Sequence, residues 1–153
     1  MTPAASTSAA GLYRDELLRH AKNPEGVAVI APDDPDAVRK VNPACGDEVR
    51  IRLVKDGEGR IMRVEHQTRG CAVCTASASM LAHEVNARGG MFPSDALARY
   101  TEVTVRLATG DFSLADGPLQ ALAPLARYPA RIVCARLAWE AFAAAANSPR
   151  SEK

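Results

Sequence analysis

The sequence predicts an α+β domain in which a small antiparallel sheet of about three strands carries helices packed on one side. Apolar and charged residues alternate over 49–53 and 62–66, and a glycine-rich turn separates the two stretches, which predicts a β-hairpin. Apolar residues at helical spacing occur both before and after this hairpin. Helices on either side of a run of strands are typical of domains whose helices gather on one face of a sheet.

The first helix is predicted over 12–22, where Tyr13, Leu17 and His20 share one face, and Asn23-Pro24 ends it. A loop rich in proline and aspartate follows. Residues 36–41 are then expected to form a third strand beside the hairpin.

The pattern changes to a helix over 71–87, which Gly89-Gly90 ends. Ser94-Asp95 is expected to cap a further helix that runs to about residue 100. Residues 101–124 show no lasting period, because glycine and proline interrupt them, so short helical pieces joined by loops are expected. The last helix is predicted over 130–146, which is rich in alanine.

Length and charge limit the classes of protein to be considered. The chain has 153 residues, which suits one domain, predicted over 11–146, with disordered tails at 1–10 and 147–153. The net charge of +1 gives no electrostatic reason to expect a nucleic-acid or acidic-membrane partner. The first ten residues lack the basic and apolar regions of a secretory signal, and no apolar run approaches the ~20 residues of a membrane span, so a soluble cytoplasmic protein is expected.

The four cysteines are the strongest candidates for functional residues, and three of them are predicted at the ends of strands or helices. Cys45 lies in a turn between proline and glycine, Cys71 at a strand-to-helix junction, and Cys134 at the start of the last helix. A thiol at a helix N-terminus is expected to have a lowered pKa, which favours nucleophilic attack and metal binding.

Two kinds of metal site suit these thiols. Asp47 lies two residues from Cys45 and could add an oxygen ligand to a tetrahedral zinc site. Soft thiolates would equally suit an iron–sulfur cluster. A zinc ribbon normally has two Cys-x-x-Cys pairs, and here only Cys71 and Cys74 form one. Free cysteines are also often small buried apolar side chains. Spacing alone therefore leaves a zinc site, an iron–sulfur site and structural cysteines all open.

Cys71 and Cys74 could also form a thioredoxin-type redox pair, faced by a cis-proline at Tyr128-Pro129. The predicted order of elements argues against this, because antiparallel strands and no βαβ unit precede the pair. His66 is expected to be a partly buried strand residue rather than a ligand.

Other polar side chains are also expected to be structural. His20 and His83 lie on helices with no second ligand at matching spacing. Ser77 and Ser79 alternate with alanines, which indicates close helix packing rather than a nucleophile.

Several motifs together resemble the U-type iron–sulfur cluster assembly family, over residues 11 to about 143. In order, they are Leu12-Tyr13-Arg14, His20-Ala21-Lys22-Asn23-Pro24, Asn42-Pro43-Ala44-Cys45-Gly46-Asp47, Gly70-Cys71, Ala76-Ser77-Ala78-Ser79-Met80 and Tyr128-Pro129-Ala130-Arg131-Ile132-Val133-Cys134. The chain resembles SufU more than IscU members of that family. The stretch between Cys71 and Cys134 is long, with an insertion expected around 92–118, Val133 stands where IscU members usually have histidine, and the Leu-Pro-Pro-Val-Lys segment of IscU is absent.

This resemblance implies a zinc site made by Cys45, Asp47, Cys71 and Cys134. It also implies that the protein accepts sulfur from a SufS-type cysteine desulfurase, as a sulfurtransferase, and passes it to the Suf cluster-assembly machinery. Cys134 would take the sulfur, and Arg131 would steady the freed thiolate or pair with Asp47. The alternatives are a scaffold on which an iron–sulfur cluster is built and, less favoured, a thiol-disulfide oxidoreductase.

Cys74 departs from the family pattern, which has a small or apolar residue at this position. Its thiol could replace Asp47 as the fourth ligand, resolve a persulfide on Cys71 as a disulfide, or be a buried thiol without a chemical role, which is the favoured interpretation.

Overall fold

The computed structural model describes residues 9–148 and contains a three-stranded sheet with one helix before it and the other helices after it, which confirms the predicted α+β class. The elements in chain order are α1 (Ala9–Lys22), β1 (Ala37–Asn42), β2 (Asp47–Lys55), β3 (Ile61–Arg69), α2 (Ala72–Ala87), α3 (Pro93–Thr109), a 3-10 segment (Leu114–Arg127) and α4 (Pro129–Ala146). Ala9 and Ala10, assigned to the tail by the sequence, form the first turn of α1. The rest of the predicted N-terminal tail, and residues 149–153 at the other end, lie outside the described residues.

The sheet is antiparallel with the strand order β1-β2-β3, and its register places Ile51 opposite His66. Alternate side chains of β2 are buried: Val49, Ile51 and Leu53 face the core. Helix α2 packs on β3, and α4 packs on β1 and β2, so the helices contact the buried face. Charged side chains such as Arg52 and Glu65, 2.7 Å apart, form ion pairs on the opposite face.

Helix α2 lies in the centre of the domain because its small side chains let neighbouring helices approach. The Ser77 hydroxyl donates a hydrogen bond to the backbone carbonyl of Ala135 in α4, at 2.6 Å. Two residues further on, the Ser79 hydroxyl lies 2.6 Å from Nδ1 of His20 and accepts a hydrogen bond from the Glu25 N–H. Both serines are therefore helix-packing residues, as the sequence predicts.

The third helix differs from its prediction. Its N-cap is Phe92 and Pro93 occupies the first turn, so Ser94-Asp95 lies inside the helix and the predicted cap was wrong. The helix continues to Thr109 because its buried face is extended by Val103 and Leu107, and it ends at Gly110, which has φ +77°. Beyond it, the short helical pieces predicted for the following residues are confirmed as a 3-10 segment interrupted at Gly117.

A buried ion network joins α2, α3 and the 3-10 segment. The guanidinium of Arg99 donates to Glu84 at 2.8 Å, to Glu102 at 3.0 Å and to Asp116 at 3.0 Å. These carboxylates raise the pKa of Arg99 against the opposing effect of burial, and the side chain stays charged. No helix within residues 9–148 is long and apolar enough to cross a membrane.

Candidate metal centre

The loop between β1 and β2 presents Cys45 and Asp47 from one tight turn. Asn42 and Asp47 pair across the two strands, and the carbonyl oxygen of Asn42 accepts hydrogen bonds from the N–H groups of Cys45 (3.3 Å) and Gly46 (2.7 Å). Gly46 has φ +76°, a conformation that glycine adopts without steric cost. The turn leaves Cys45 exposed and turns Asp47 inward, where it is 6% exposed.

Cys71 reaches the same place from the end of β3. It is the N-cap of α2 and is partly exposed. The preceding residue, Gly70, lies against Asp47 so closely that a Cβ there would be 2.8 Å from the carboxylate carbon. The Gly70-Cys71 step therefore brings the thiol and the carboxylate together.

Cys134 lies in the second turn of α4. The predicted helix over 130–146 is confirmed as Pro129–Ala146, so Cys134 is its sixth residue and does not lie at its very end. The thiol is 6% exposed, and Nδ2 of Asn42 donates a weak hydrogen bond to its sulfur at 4.0 Å. Long-range packing of α4 on β1 thus brings this cysteine to the turn that holds Cys45 and Asp47.

These side chains line a single cleft of about 460 Å³. One ligand atom each from Cys45, Asp47 and Cys134 lie within 4.8 Å of one another. Cys71 lines the same cleft but is not part of that closest group. The four ligands implied by the resemblance are therefore neighbours in space, although 89 residues separate the first from the last along the chain (134 minus 45).

The pKa of the Cys134 thiol is raised, which corrects the expectation that a helix N-terminus lowers it. Burial is the main cause, and hydrogen bonding with Asp47 and the nearby thiols of Cys71 and Cys45 act in the same direction. Because a second negative charge is unfavourable beside Asp47, the thiol stays protonated at neutral pH unless a cation joins the site.

One oxygen of Asp47 indicates that a cation fits here. Its Oδ2 is buried and has no hydrogen-bond partner among residues 9–148. A buried carboxylate oxygen without a partner is costly. Three thiols and one carboxylate are also the donor types that zinc accepts in tetrahedral sites, so the donor set suits this metal.

Arg131 is exposed and lines the cleft. Within the described part of the chain it forms no ion pair with Asp47, so the pairing that the sequence analysis offered as one of its two roles is not formed. Its position at the cleft is consistent with its other predicted role, to steady a thiolate.

Cys74 is completely buried, as expected for a buried thiol, and does not line the cleft. Burial is the main reason that its pKa rises to about 12, and the charges of Asp47, Cys71 and Cys45 contribute. The peptide bond between Tyr128 and Pro129 is trans, because no cis peptide occurs among the described residues, so the predicted cis-proline was wrong.

The histidines lie apart from this site. His66 is 1% exposed, with its ring nitrogens bonded to Thr68 and to the carbonyl oxygen of Glu25, so the prediction of a buried strand residue is confirmed. Over residues 9–148, Cys45, Asp47 and Cys134 form the one cluster of three or more possible metal ligands, and His20 and His83 are not in it.

Asn42 has a role that was not predicted, although it belongs to the motif that carries the resemblance. Its side-chain oxygen accepts from the Ala44 N–H at 3.1 Å, which shapes the turn, while its nitrogen reaches Cys134. An asparagine two residues before the turn's alanine is a local signal for such a bond. The contact with Cys134 has no signal in the sequence.

Residues 12–107 match the model of the NifU-like N-terminal domain. The chain is 30% identical over 131 residues to the zinc-dependent sulfurtransferase SufU of Bacillus subtilis, covering 86% of each protein. It is 32% identical over 134 residues to the iron–sulfur cluster assembly scaffold protein IscU of Streptococcus pyogenes, covering 86% of this chain and 80% of that protein.

The fold agrees with these relationships. The crystal structure of the N-terminal part of a NifU-like protein from Brucella abortus superposes with a TM-score of 0.71 at 24% identity, over 92% of this chain and 93% of that one. At this identity the similarity shows the fold alone. Together with the family match and the identities to SufU and IscU, it leads to one conclusion: the chain belongs to the NifU-like N-terminal domain family, the U-type proteins of iron–sulfur cluster assembly.

Proposed function

We propose that the protein is a zinc-binding sulfurtransferase, which accepts persulfide sulfur from a SufS-type cysteine desulfurase and passes it to the Suf cluster-assembly machinery in the cytoplasm. The observation that supports this proposal is the cleft lined by three thiols and by a buried carboxylate, one oxygen of which has no hydrogen-bond partner among the described residues. The name of the Bacillus subtilis relative, a zinc-dependent sulfurtransferase, supports the same chemistry.

Cys45, Asp47, Cys71 and Cys134 would hold the zinc. When bound, zinc supplies the positive charge that keeps the thiols deprotonated beside the carboxylate. This positive charge would oppose the burial and the neighbouring groups that raise the pKa of Cys134. The buried Oδ2 of Asp47 would gain the partner that the protein does not provide.

Cys134 is the proposed acceptor of the sulfur. Its thiolate would attack the outer sulfur of the desulfurase persulfide, and the desulfurase thiolate would leave. The Asn42 side chain can orient the Cys134 sulfur through its hydrogen bond, and the Arg131 guanidinium at the cleft can stabilise negative charge on it. These roles of Cys134 and Arg131 belong to the proposal.

The surroundings of the cleft suit docking of a protein partner. Val133 lines the cleft and is 44% exposed, and Tyr128, just before α4, is 57% exposed. Exposed aromatic and aliphatic side chains next to arginine are common in protein interfaces. We propose that the desulfurase binds over these residues, so that its persulfide reaches the thiols.

A cluster-assembly scaffold is the second candidate function. The observation that favours it is the same set of thiolates, since iron–sulfur clusters are held by cysteine sulfur. The Streptococcus pyogenes relative, named a scaffold, is of similar identity. Val133, where IscU members usually have histidine, cannot bind metal and supports the sulfurtransferase.

Metal analysis of the full chain, purified without added metal or chelator, tests the two candidates. The sulfurtransferase predicts about one zinc per chain and no visible absorption, with zinc lost in both Asp47→Ala and Cys134→Ser and retained in Cys74→Ala. Iron with acid-labile sulfide and a visible chromophore would instead establish the scaffold. A protein with neither metal would contradict both candidates.

Sulfur acceptance is measured separately. The protein is incubated with a SufS-type desulfurase and cysteine, and the persulfide is located by peptide mass mapping. We expect it on Cys134 and expect no transfer to Cys134→Ser. A persulfide that forms on Cys45 with an unchanged rate in Cys134→Ser would contradict the proposed acceptor.

A further inference from the structure

Cys74 is a nucleophilic group that the proposed function does not use. It is the third residue of α2, and Cys71 is the N-cap of the same helix. Cys71 lines the cleft, whereas Cys74 is completely buried directly behind the helix start. A half-exposed cysteine followed three residues later by a buried one at a helix start is the arrangement of dithiols that open and close as disulfides.

A disulfide between Cys71 and Cys74 would need a small movement at the start of α2. Side chains three apart on a regular helix have Cβ atoms roughly 5–6 Å apart, whereas a disulfide needs about 3.5–4.5 Å. Cys71 has φ −71° and ψ 171°, outside the helical region, so it can rotate without breaking the helix. The hydrogen bond from the Thr75 N–H to the Cys71 carbonyl, at 3.1 Å, keeps the first turn in place.

Cys71 also lies close to the proposed sulfur acceptor, since Cys71 and Cys134 line the same cleft. Cys71 therefore lies between two thiols. Cys134 shares the cleft with it, and Cys74 lies three residues further along the same helix, in the core. Sulfur can pass from Cys134 to Cys71 without leaving the cleft. From Cys71, the next thiol along the helix is Cys74.

We propose that Cys71 and Cys74 form a dithiol that reduces the transferred sulfur to sulfide, with Cys74 as the resolving thiol. This inference rests on the proposed function for the arrival of sulfur at the cleft. It assigns to the chain a further activity, the release of sulfide from its own persulfide.

The chemistry balances in two steps. First, the Cys71 thiolate attacks the outer sulfur of the Cys134 persulfide, and Cys134 leaves as a thiolate. Next, the Cys74 sulfur attacks the inner sulfur of the Cys71 persulfide, and a disulfide forms between Cys71 and Cys74. The outer sulfur leaves with the bonding electron pair and takes the proton of Cys74, so hydrosulfide is the product.

In this reaction two thiols are oxidised to one disulfide, and one sulfur atom is reduced by two electrons from the persulfide level to sulfide. No external oxidant or reductant is needed for a single turnover. The product has the oxidation state of sulfur in iron–sulfur clusters. Burial of Cys74 suits this role, because it shields the thiol from thiols in solution.

The test is a single turnover of the full chain with inorganic polysulfide as the sulfur donor and no reductant. After loading, excess donor is removed, released sulfide is measured colorimetrically, and disulfides are located by peptide mass mapping. We expect about one sulfide per persulfide and a disulfide between Cys71 and Cys74. In Cys74→Ala the persulfide should persist, with sulfide release at least about tenfold slower.

Controls separate chemistry from packing. Val73→Ala removes a buried side chain of the same helical turn and keeps every thiol, so it should release sulfide like the unchanged protein. If Cys74→Ala does not fold, Cys74→Ser is used with the same expectation.

Three results would overturn the inference: unchanged sulfide release by the Cys74 variant, a disulfide between Cys71 and Cys134 instead, or no loading of Cys71. Polysulfide bypasses the desulfurase, so failure of transfer from the desulfurase would count against the proposed function alone.

Discussion

The carboxylate of Asp47 packs directly on the backbone of Gly70. A Cβ at Gly70 would lie 3.0 Å from Oδ1 of Asp47 and 2.8 Å from its Cγ, and the second distance is shorter than real Cβ atoms show. Because Gly70 has no side chain, the backbone can pass from β3 into α2 directly beside the carboxylate. The contact links the start of β2 to the residue before Cys71, so it fixes the distance between two of the proposed ligands.

Gly70→Ala is expected to weaken zinc binding. The new methyl group pushes the Asp47 carboxylate away, and displacement of a group that orients a metal site typically costs roughly 10–100-fold in affinity. Zinc affinity is measured by competition with a chromophoric chelator. Gly57→Ala is the matched control, because a Cβ there meets nothing within 4 Å. Equal affinities in the two variants would show that the contact does not position Asp47.

Arg131→Ala is expected to slow sulfur acceptance and leave zinc content unchanged. The exposed guanidinium lines the cleft without an ion pair to Asp47, so it is available to stabilise charge on the acceptor thiolate. One charge-assisted hydrogen bond is worth about 1.5–3 kcal/mol, which corresponds to a rate reduced roughly 10–100-fold. The rate is measured with the desulfurase, and Arg127→Ala is the control for lost surface charge. A normal rate in Arg131→Ala would remove Arg131 from the mechanism.

Stability is expected to fall as the pH decreases from about 6.5. Burial is the main cause that lowers the pKa values of His20 and His66 below their ordinary value of 6.5. For His20, Arg19 and His83 add to this effect, while Glu16 and Glu25 oppose it. Because the unfolded chain binds these protons first, each histidine removes stability between pH 6.5 and its own lower pKa, by at most about 1.4 kcal/mol per pH unit.

Urea unfolding at pH 7.5, 6.5 and 5.5 measures this dependence, with a chelator present so that metal release does not contribute. His20→Asn can keep a hydrogen bond to Ser79 and should flatten the curve. The same slope in this variant would exclude His20 as a source of the pH dependence.

Arg99→Met is expected to destabilise the domain by about 3–5 kcal/mol, because the buried Asp116 and the half-buried Glu84 lose their cation. Arg88→Ala removes an exposed ion pair to Glu84 and should cost no more than about 1 kcal/mol. Both free energies of unfolding come from urea titrations. Zinc bound per folded chain should be the same in both variants, since Arg99 does not line the metal cleft. Similar losses in the two variants would contradict the distinction between buried and exposed pairs.

Local patterns in the sequence determined the class of fold and the order of its parts. Alternation in β2 and β3, the turn around Cys45 and the glycine before Cys71 depend on residues close in the chain, so spacing and turn chemistry predict them. The same local motifs carried the resemblance to the U-type family. They therefore identify Cys45, Asp47, Cys71 and Cys134 as candidate ligands without any knowledge of tertiary contacts.

Only the tertiary structure decided the properties that depend on burial. Helix α3 runs to Thr109 because Val103 and Leu107 pack into the core, although the local sequence predicts an earlier end. Cys134 has a raised pKa because α4 carries it to Asp47, on an element 87 residues away in sequence (134 minus 47). Desolvation and charge act through space, and no pattern of neighbours along the chain records which distant groups will meet.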